Sequence, residues 1–306
     1  MRTRNVIGLL SLLVVSIVAA IVTRAGGGPE DVLAATACTW QGGVSSDWFD
    51  AANWTNCLDT GGNPKVPNDL DEVIVGPGVT HDPRFIYAVN HSYYILVDKL
   101  TIETGGLITV NSDVEFVATQ FDNEGTITVG SENYYGIKVY APFDNSGTVD
   151  AGAGYASLHG SGTHSGNFIG HYLNFGIKAP SPITNTFQTS SSIDVDVAAF
   201  EGDGSQYDID GTFNCGGNLY VSGPGTRVTI AADNLVELGT PMINLGAELI
   251  VEMGGTVTRS LDVAAGAVMT GTGIIDGDLL NAGTVAPGAS PGTIGVNGVY
   301  TQEGTG

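Results

Sequence analysis

The chain has 306 residues, of which 42% are hydrophobic, so it can bury a sizeable core, and this argues against an intrinsically disordered protein. The net charge is −22 with only 10 lysines and arginines, which leaves no basic surface for nucleic acid and favours a soluble, self-repelling extracellular protein. The 45 glycines follow no collagen-like period, and together with many β-branched residues they predict an all-β chain rich in turns.

Residues 1–37 predict a signal peptide or an N-terminal membrane anchor with a short linker. Arg2 and Arg4 precede an apolar run from Val6 to Val22, which is the charge and hydropathy pattern of an export leader. Cleavage, lipidation at Cys38 and retention as an anchor all stay open. In each case we expect the rest of the chain to be secreted or held at the cell surface, touching the membrane only through the leader.

Three cysteines in an exported protein predict one disulfide and one free thiol. Cys38 and Cys57 flank one short segment, so we expect them to pair. Closing a loop of about 20 residues would stabilise the fold by roughly 3 kcal/mol. Cys215 is then a free thiol, which we expect to be buried and not to bind metal, because no Cys or His lies at ligand spacing from it.

Residues 38–75 predict a cap over the first turn of a stacked fold. Trp40, Trp48 and Trp54 lie close together in the sequence, and the exposed end of a stack of strands needs apolar cover. A sugar-binding platform is the alternative, since aromatic faces stack on pyranose rings. We favour the cap because no exposed polar group accompanies the three tryptophans.

Residues 76–306 predict a coil of short stacked strands. FDNEGTITV begins at Phe121, FDNSGTVDA begins at Phe143, and LNAGTVA from Leu280 to Ala286 echoes both. A period of about 22 residues fits one turn of three short strands and their bends. We therefore expect a β-solenoid in which asparagines of successive turns stack as an amide ladder.

Two stretches resemble secreted bacterial β-helix proteins. GTVAPGASPGTIGVNGVYTQ, from Gly283 to Gln302, is similar to the turns of autotransporter passengers and related adhesins. Thr39 to Val75 resembles the opening segment of such proteins. The resemblance implies a right-handed parallel β-helix outside the cell and names no activity. Because the turns run on to Gly306 without a translocator-like segment, we expect either a longer protein or an open last turn.

The stretch from 152 to 192 interrupts the rhythm and predicts a break or an insertion. It contains His159, His164 and His171, whose spacing matches no zinc motif, so we expect polar histidines in loops. Pro180 to Ser192 is rich in turn residues and predicts a bridge between two solenoid blocks.

Paired aspartates are the candidate metal ligands. Residues i and i+2 of a strand share a face, so each pair would present two carboxylates outward, and such oxygens suit calcium. Outward carboxylates also protect a flat face from aggregation, and no β-roll or EF-hand spacing occurs, so structural calcium stays open and no other cofactor is expected. The candidate ligands are Asp194, Asp196, Asp208, Asp210, Asp276 and Asp278.

We expect a non-enzymatic structural or adhesive protein that presents a rigid surface to other copies of itself or to surface and matrix glycans and proteins. A polysaccharide lyase or hydrolase is not expected, because the cationic residues are scattered singly and no catalytic motif occurs. Two alternatives stay open. The unpaired edge of the last turn could join copies head to tail into a filament, or the protein could bind carbohydrate.

Overall fold

The structure is a computed structural model that describes residues 37–86, 92–130, 135–176, 182–231, 235–244, 246–288 and 291–304, without the side chains of Ile86 and of residues 235–241. The expected leader lies outside the described residues and stays a prediction. The described residues belong to one compact unit. Apart from one 3-10 turn at Ala51–Asn53, their regular structure is all β.

Short strands form because β-branched residues alternate with polar ones between turn residues. In the strand Thr126–Val129, Ile127 and Val129 are buried while Thr126 and Thr128 are half-buried on the outside. Every second side chain therefore enters the core, as the period of two requires.

Sheet 1 has 13 strands. In order across the sheet they are β2 (Trp54–Thr55), β1 (Ala37–Trp40), β3 (Glu72–Val75), β6 (Lys99–Ile102), β9 (Gln120–Asn123), β12 (Phe143–Asn145), β15 (Gly162–His164), β17 (Thr184–Phe187), β19 (Gln206–Ile209), β21 (Arg227–Ile230), β23 (Glu248–Val251), β26 (Val268–Gly271) and β29 (Thr284–Pro287). From β1 onward each strand pairs in parallel with the strand of the next turn, whereas β2 pairs antiparallel with β1 at the edge.

The remaining 18 strands form a second sheet that bends into two faces. Face 2 consists of β4 (Arg84–Ile86), β7 (Leu107–Asn111), β10 (Thr126–Val129), β13 (Thr148–Asp150), β24 (Thr256–Val257), β27 (Ile274–Ile275) and β30 (Gly295–Val296). Face 3 consists of β5 (Tyr93–Leu96), β8 (Val114–Val117), β11 (Gly136–Tyr140), β14 (Tyr155–Leu158), β25 (Leu261–Val263), β28 (Leu279–Asn281) and β31 (Tyr300–Gln302). Four long strands cross the bend and belong to both faces, namely β16 (Asn167–Phe175), β18 (Ser192–Glu201), β20 (Thr212–Ser222) and β22 (Leu235–Ile243).

All pairings within faces 2 and 3 are parallel and link consecutive turns. The predicted all-β class and the parallel β-solenoid are thus confirmed. The right hand of the coil stays an implication of the resemblance.

The N-terminal cap is a cluster of buried indoles. The ring centroids of Trp48 and Trp54 lie 4.7 Å apart and those of Trp40 and Trp54 lie 5.0 Å apart. The Trp54 indole N–H donates to the Trp48 carbonyl at 2.9 Å. All three side chains are buried, so the predicted cap is confirmed and the alternative of an exposed sugar platform is wrong for these residues.

A disulfide ties the cap to sheet 1, and one buried amide orders the loop of the cap. Cys38 and Cys57 are bonded, as predicted. The Asn53 Oδ1 accepts from the backbone N–H of Val44 and of Ser45, and its Nδ2 donates to the Asp47 carbonyl at 3.0 Å. One fully paired amide thus fixes a loop that would otherwise leave buried backbone groups without partners.

An unbroken series of ring contacts continues from the cap into the core, with neighbouring centroids 4.7 to 6.1 Å apart. Aromatic pairs at such separations contribute about 0.5–1.5 kcal/mol each beyond their burial. We call this series the aromatic spine, and its members in order are Trp54, Trp48, Phe85, Phe116, Phe121, Phe143, His164, Phe175, Phe200 and Phe213.

The repeated FDN motif sets the register of neighbouring turns. Phe121 pairs with Phe143, and Asn123 pairs with Asn145. Both asparagines are buried, and the Asn123 Nδ2 donates to the Asn145 Oδ1 at 2.7 Å, so the predicted amide ladder is present. The third copy of the motif, LNAGTVA from Leu280, lies at a different position in the turn. Asn281 ends β28 on face 3, whereas Asn123 ends β9 in sheet 1.

His164 continues this ladder and corrects the prediction of a polar loop histidine. It pairs with Asn145 in β15 and is fully buried against the rings of Phe168 and Phe187. Its Nε2 lies 3.0 Å from the Asn185 Oδ1, whereas its Nδ1 has no hydrogen-bond partner among the described residues. Burial lowers the pKa of His164 to about 4, although the hydrogen bond to Asn185 acts in the opposite direction.

Paired strands lie on both sides of residues 177–181 in the stretch where a break or an insertion was expected, and that prediction stays open. From Asn167 to Phe175, β16 pairs in parallel with β18, and β15 pairs with β17. Residues 177–181, within the expected bridge, lie outside the described part. The boundary expected after residue 75 falls inside sheet 1, because β3 already pairs with both β1 and β6.

Replacing both Cys38 and Cys57 with Ser is expected to lower the free energy of unfolding by about 3 kcal/mol, because the unfolded chain regains the freedom of the opened loop. Urea denaturation measures the loss. A reducing agent should bring the wild type to the same midpoint and leave the double variant unchanged. Equal midpoints for the oxidised wild type and the variant would contradict the expectation.

His164 should make stability fall with acid. Its folded pKa of about 4 lies below the ordinary value of 6.5, so the unfolded state binds a proton first. The contribution is complete above pH 6.5 and is lost as the pH falls from 6.5 towards 4, to a total of roughly 3 kcal/mol.

His164→Gln should remove this part of the pH dependence, and His171→Gln is the matched control because His171 is exposed and pairs with Asp196. The urea midpoints of both variants at pH 7 and pH 4.5 measure this pH dependence. If His164→Gln loses as much stability in acid as the wild type, the His164 imidazole does not cause the loss.

Candidate ligand-binding face

The predicted calcium ligands are exposed, and no three of them come together in the described part of the chain. Asp194 and Asp196 lie on β18, Asp208 lies on β19, Asp210 follows it, and Asp276 and Asp278 lie between β27 and β28. Four of these carboxylates already accept hydrogen bonds or pair with His171. Their partners are Asn214 for Asp194, His171 for Asp196, Asn297 for Asp276 and the Val299 backbone N–H for Asp278.

Among the described residues, only one group of three potential metal ligands comes together, and it consists of Cys38, Cys57 and Asp71. The two cysteines form the disulfide, so they cannot act as thiolate ligands. The buried Asp71 carboxylate instead pairs with the Lys65 ammonium at 2.6 Å. Calcium binding by the predicted aspartates stays a prediction without a cluster to support it.

The three histidines also have separate roles. His159 follows β14 and is buried, His164 lies in the core, and His171 is exposed on β16. The structure therefore does not bring them together, and only His171 has the exposed polar position that was expected.

The outward side of face 3 carries tyrosines together with charged and polar side chains. Parallel register aligns one column of residues across successive turns, of which Ser157, Asn174 and Ala199 are buried and the others are exposed or half-buried. Its members in order are Tyr94, Glu115, Lys138, Ser157, Asn174, Ala199 and Tyr220. Tyr155 and Tyr172 pair in the column beside it. We call Tyr94, Glu115, Lys138, Tyr140 and Tyr155 the tyrosine face.

A charged pair lies at the centre of the tyrosine face. The Lys138 ammonium contacts the Glu115 carboxylate at 2.7 Å, and both side chains are partly exposed. At this exposure an ion pair contributes at most about 1 kcal/mol to stability. Its more important effect is to hold one carboxylate and one ammonium in fixed positions between the tyrosines.

Tyr155 lies flat over a glycine. A Cβ atom on Gly136 would be only 2.5 Å from the Tyr155 ring, so no other residue leaves room for it. The Tyr155 hydroxyl then reaches across this turn and donates to the Asp113 Oδ1 at 3.1 Å. The ring is thereby fixed at both ends, with one side packed and the other partly open.

Tyr140 is fixed by a stacked imidazole. Its ring is nearly parallel to that of His159, with an interplanar angle of 7° and centroids 4.5 Å apart. The His159 Nε2 lies 3.1 Å from the Ser157 Oγ, and the Ser157 hydroxyl donates to the Asn174 Oδ1 at 3.5 Å. The His159 imidazole is thus held between the Tyr140 ring and the Ser157 hydroxyl.

A second polar group continues along face 3. The Asn174 Nδ2 donates to the Glu201 Oε2 at 3.4 Å, and the Ser222 hydroxyl donates to the Glu201 Oε1 at 3.1 Å. Burial raises the pKa of Tyr172, to which the negative charge of Glu201 adds. Hydrogen bonds of the buried Asn174 and of Glu201 thus link successive turns of face 3.

The tyrosine hydroxyls of the tyrosine face remain protonated near neutral pH. Burial raises the pKa of Tyr140 to about 12, and the negative charge of Glu115 adds to it. Burial and then the Glu115 charge also raise the pKa of Tyr94, and burial followed by the Asp113 charge raises that of Tyr155. Each hydroxyl can therefore both donate and accept hydrogen bonds, next to a ring that offers an apolar surface.

The chain matches no protein-family model, no curated protein and no solved structure. Within the described residues, no helix has the length and apolar character needed to cross a bilayer. The resemblance to autotransporter passengers therefore stays an expectation, and the fold and the geometry of face 3 are the basis for any functional proposal.

Gly136→Ala should destabilise the protein by about 1–3 kcal/mol, because the new methyl group meets the Tyr155 ring and the overpacked ring has to move. The same substitution in a Tyr155→Ala background should cost much less. Urea denaturation of the wild type, both single variants and the double variant gives the coupling energy, which we expect to exceed about 0.5 kcal/mol. Additive losses would mean that Tyr155 does not lie on Gly136.

Proposed function

We propose that this protein is a non-enzymatic, exported β-solenoid of a bacterial cell surface or extracellular matrix, and that it acts as an adhesive surface. The observation that carries the proposal is the tyrosine face, where side chains with both apolar and polar character are fixed on the outside of a rigid fold. Tyr94 is 49% exposed there, so its ring is accessible to a ligand.

Rigidity supports an adhesive role because a prearranged surface loses little conformational entropy on binding. Tyr140 is held by a stacked imidazole, and Tyr155 is held by a packed glycine and by a hydrogen bond to Asp113. The strands beneath them are fixed by parallel pairing to the turns on both sides.

Export is supported by the cysteines and by the leader pattern. The Cys38–Cys57 disulfide is typical of proteins that fold in an oxidising compartment. Arg2, Arg4 and the apolar run after them have the pattern of an export leader. The strongly acidic composition, with a net charge of −22, favours solubility outside the cell.

A head-to-tail filament stays the alternative, and such a contact needs two open ends. At the N-terminal end, the tryptophan cap and the antiparallel strand β2 cover sheet 1, whereas β4 and β5 are the first strands of the second sheet. At the other end of the stack, Tyr300 of β31 and Val299 beside it are exposed.

Beads coated with the purified protein should attach to bacterial cells and to extracellular matrix more strongly than beads coated with the urea-unfolded, alkylated chain, because only the folded chain presents a fixed face 3. Counting attached beads after washing measures the effect. Fractionation of a producing bacterium should place the protein outside the cytoplasm. Equal attachment of folded and unfolded protein, or retention in the cytoplasm with reduced Cys38 and Cys57, would contradict the proposal.

A further inference from the structure

We infer that the tyrosine face binds a neutral polysaccharide, with the sugar chain running across strands β5 to β14. This inference rests on the proposed adhesive function and names the chemical class of its ligand. The supporting observations are the aromatic faces, the hydrogen-bonding groups between them and the sign of the charge around them.

The aromatic rings are spread over several turns rather than gathered in one pocket. Tyr94 lies on β5, Tyr140 on β11 and Tyr155 on β14, and neighbouring strands are about 4.8 Å apart, so the face extends roughly 14 Å along the stack. This length suits several consecutive rings of a chain and is larger than a single small molecule requires. Aromatic faces of this kind supply contact area at low cost in side-chain entropy.

Polar groups alternate with the rings. The protonated hydroxyls of Tyr94 and Tyr140 lie close enough to Glu115 for its charge to raise the pKa of each, and Lys138 is paired with the same carboxylate. A carboxylate accepts and an ammonium donates hydrogen bonds, so a ligand with many hydroxyl groups can pair with both. A purely apolar partner would leave these groups desolvated without compensation.

The negative charge of the tyrosine face and of the whole chain disfavours acidic ligands. The tyrosine face and its border contain the carboxylates of Asp113 and Glu115 and the single ammonium of Lys138, in a chain whose net charge is −22. A uronic-acid or sulfated polysaccharide would be repelled both locally and at long range. The ligand that matches the rings, the hydroxyls and the charge is therefore a neutral, hydroxyl-rich chain.

The test is affinity gel electrophoresis of the purified protein in gels containing one soluble polysaccharide each. The neutral probes are mixed-linkage β-glucan, arabinoxylan, galactomannan and dextran, and the acidic probe is polygalacturonate. We expect at least one neutral probe to retard the protein, and polygalacturonate to have no effect.

Tyr94→Ala should weaken binding to the retarding probe by about fivefold, because loss of one stacked aromatic contact removes on the order of 1 kcal/mol. Tyr94→Phe should retain most of the affinity, since the ring remains. Tyr300→Ala is the matched control, because Tyr300 is 48% exposed but lies on β31, away from the tyrosine face. Both alanine variants remove a half-exposed ring, so a general folding defect would affect them alike.

Absence of retardation by every neutral probe, stronger binding of polygalacturonate, or equal losses in Tyr94→Ala and Tyr300→Ala would each overturn the inference. The bead assay separates this failure from failure of the proposed function. Beads that still attach to cells while no polysaccharide is bound would point to a protein ligand, and the adhesive proposal would stand without the glycan.

Discussion

Hydrogen bonding between successive turns is the constraint on which the rest of this structure depends. Most strands have two to five residues, too few to be stable alone, and their N–H and C=O groups point along the stack to the neighbouring turns. Each turn is therefore closed by the turns on its two sides, and the first turn needs a substitute. The tryptophan cap, with the antiparallel strand β2 and the Cys38–Cys57 disulfide, provides that substitute.

The same stacking explains the contents of the core. Parallel register places identical or similar residues above one another, so Phe121 meets Phe143 and Asn123 meets Asn145. Stacked amides and offset rings are favourable at this spacing, whereas a stacked charge would be costly. His164 is tolerated in the next turn because burial keeps its imidazole neutral and the Asn185 Oδ1 accepts a hydrogen bond from its Nε2–H.

The core was more predictable from the sequence than the outer face. The FDN repeats give the period directly, and a similar signal marks His164, since Asn145-Ser146-Gly147 is followed one turn later by His164-Ser165-Gly166. The tyrosine face has no such signal. Lys138 and Ser157 become neighbours only through the lengths of the intervening bends, and these lengths vary from turn to turn. Outward positions also tolerate many residue types, so composition alone does not mark them.

The outer face is nevertheless fixed by the core. Ile137 and Val139 are buried on either side of Lys138, so a slip of one residue in β11 would bury the ammonium and expose both aliphatic side chains. The cost of that exchange holds Lys138 opposite Glu115, and Gly136 opposite the Tyr155 ring, without any loop having to order itself around a ligand. A surface specified in this way is rigid in the absence of a ligand. The free energy that positions Lys138 and the Tyr155 ring is supplied by apolar burial in the solenoid, so a ligand would not have to provide it.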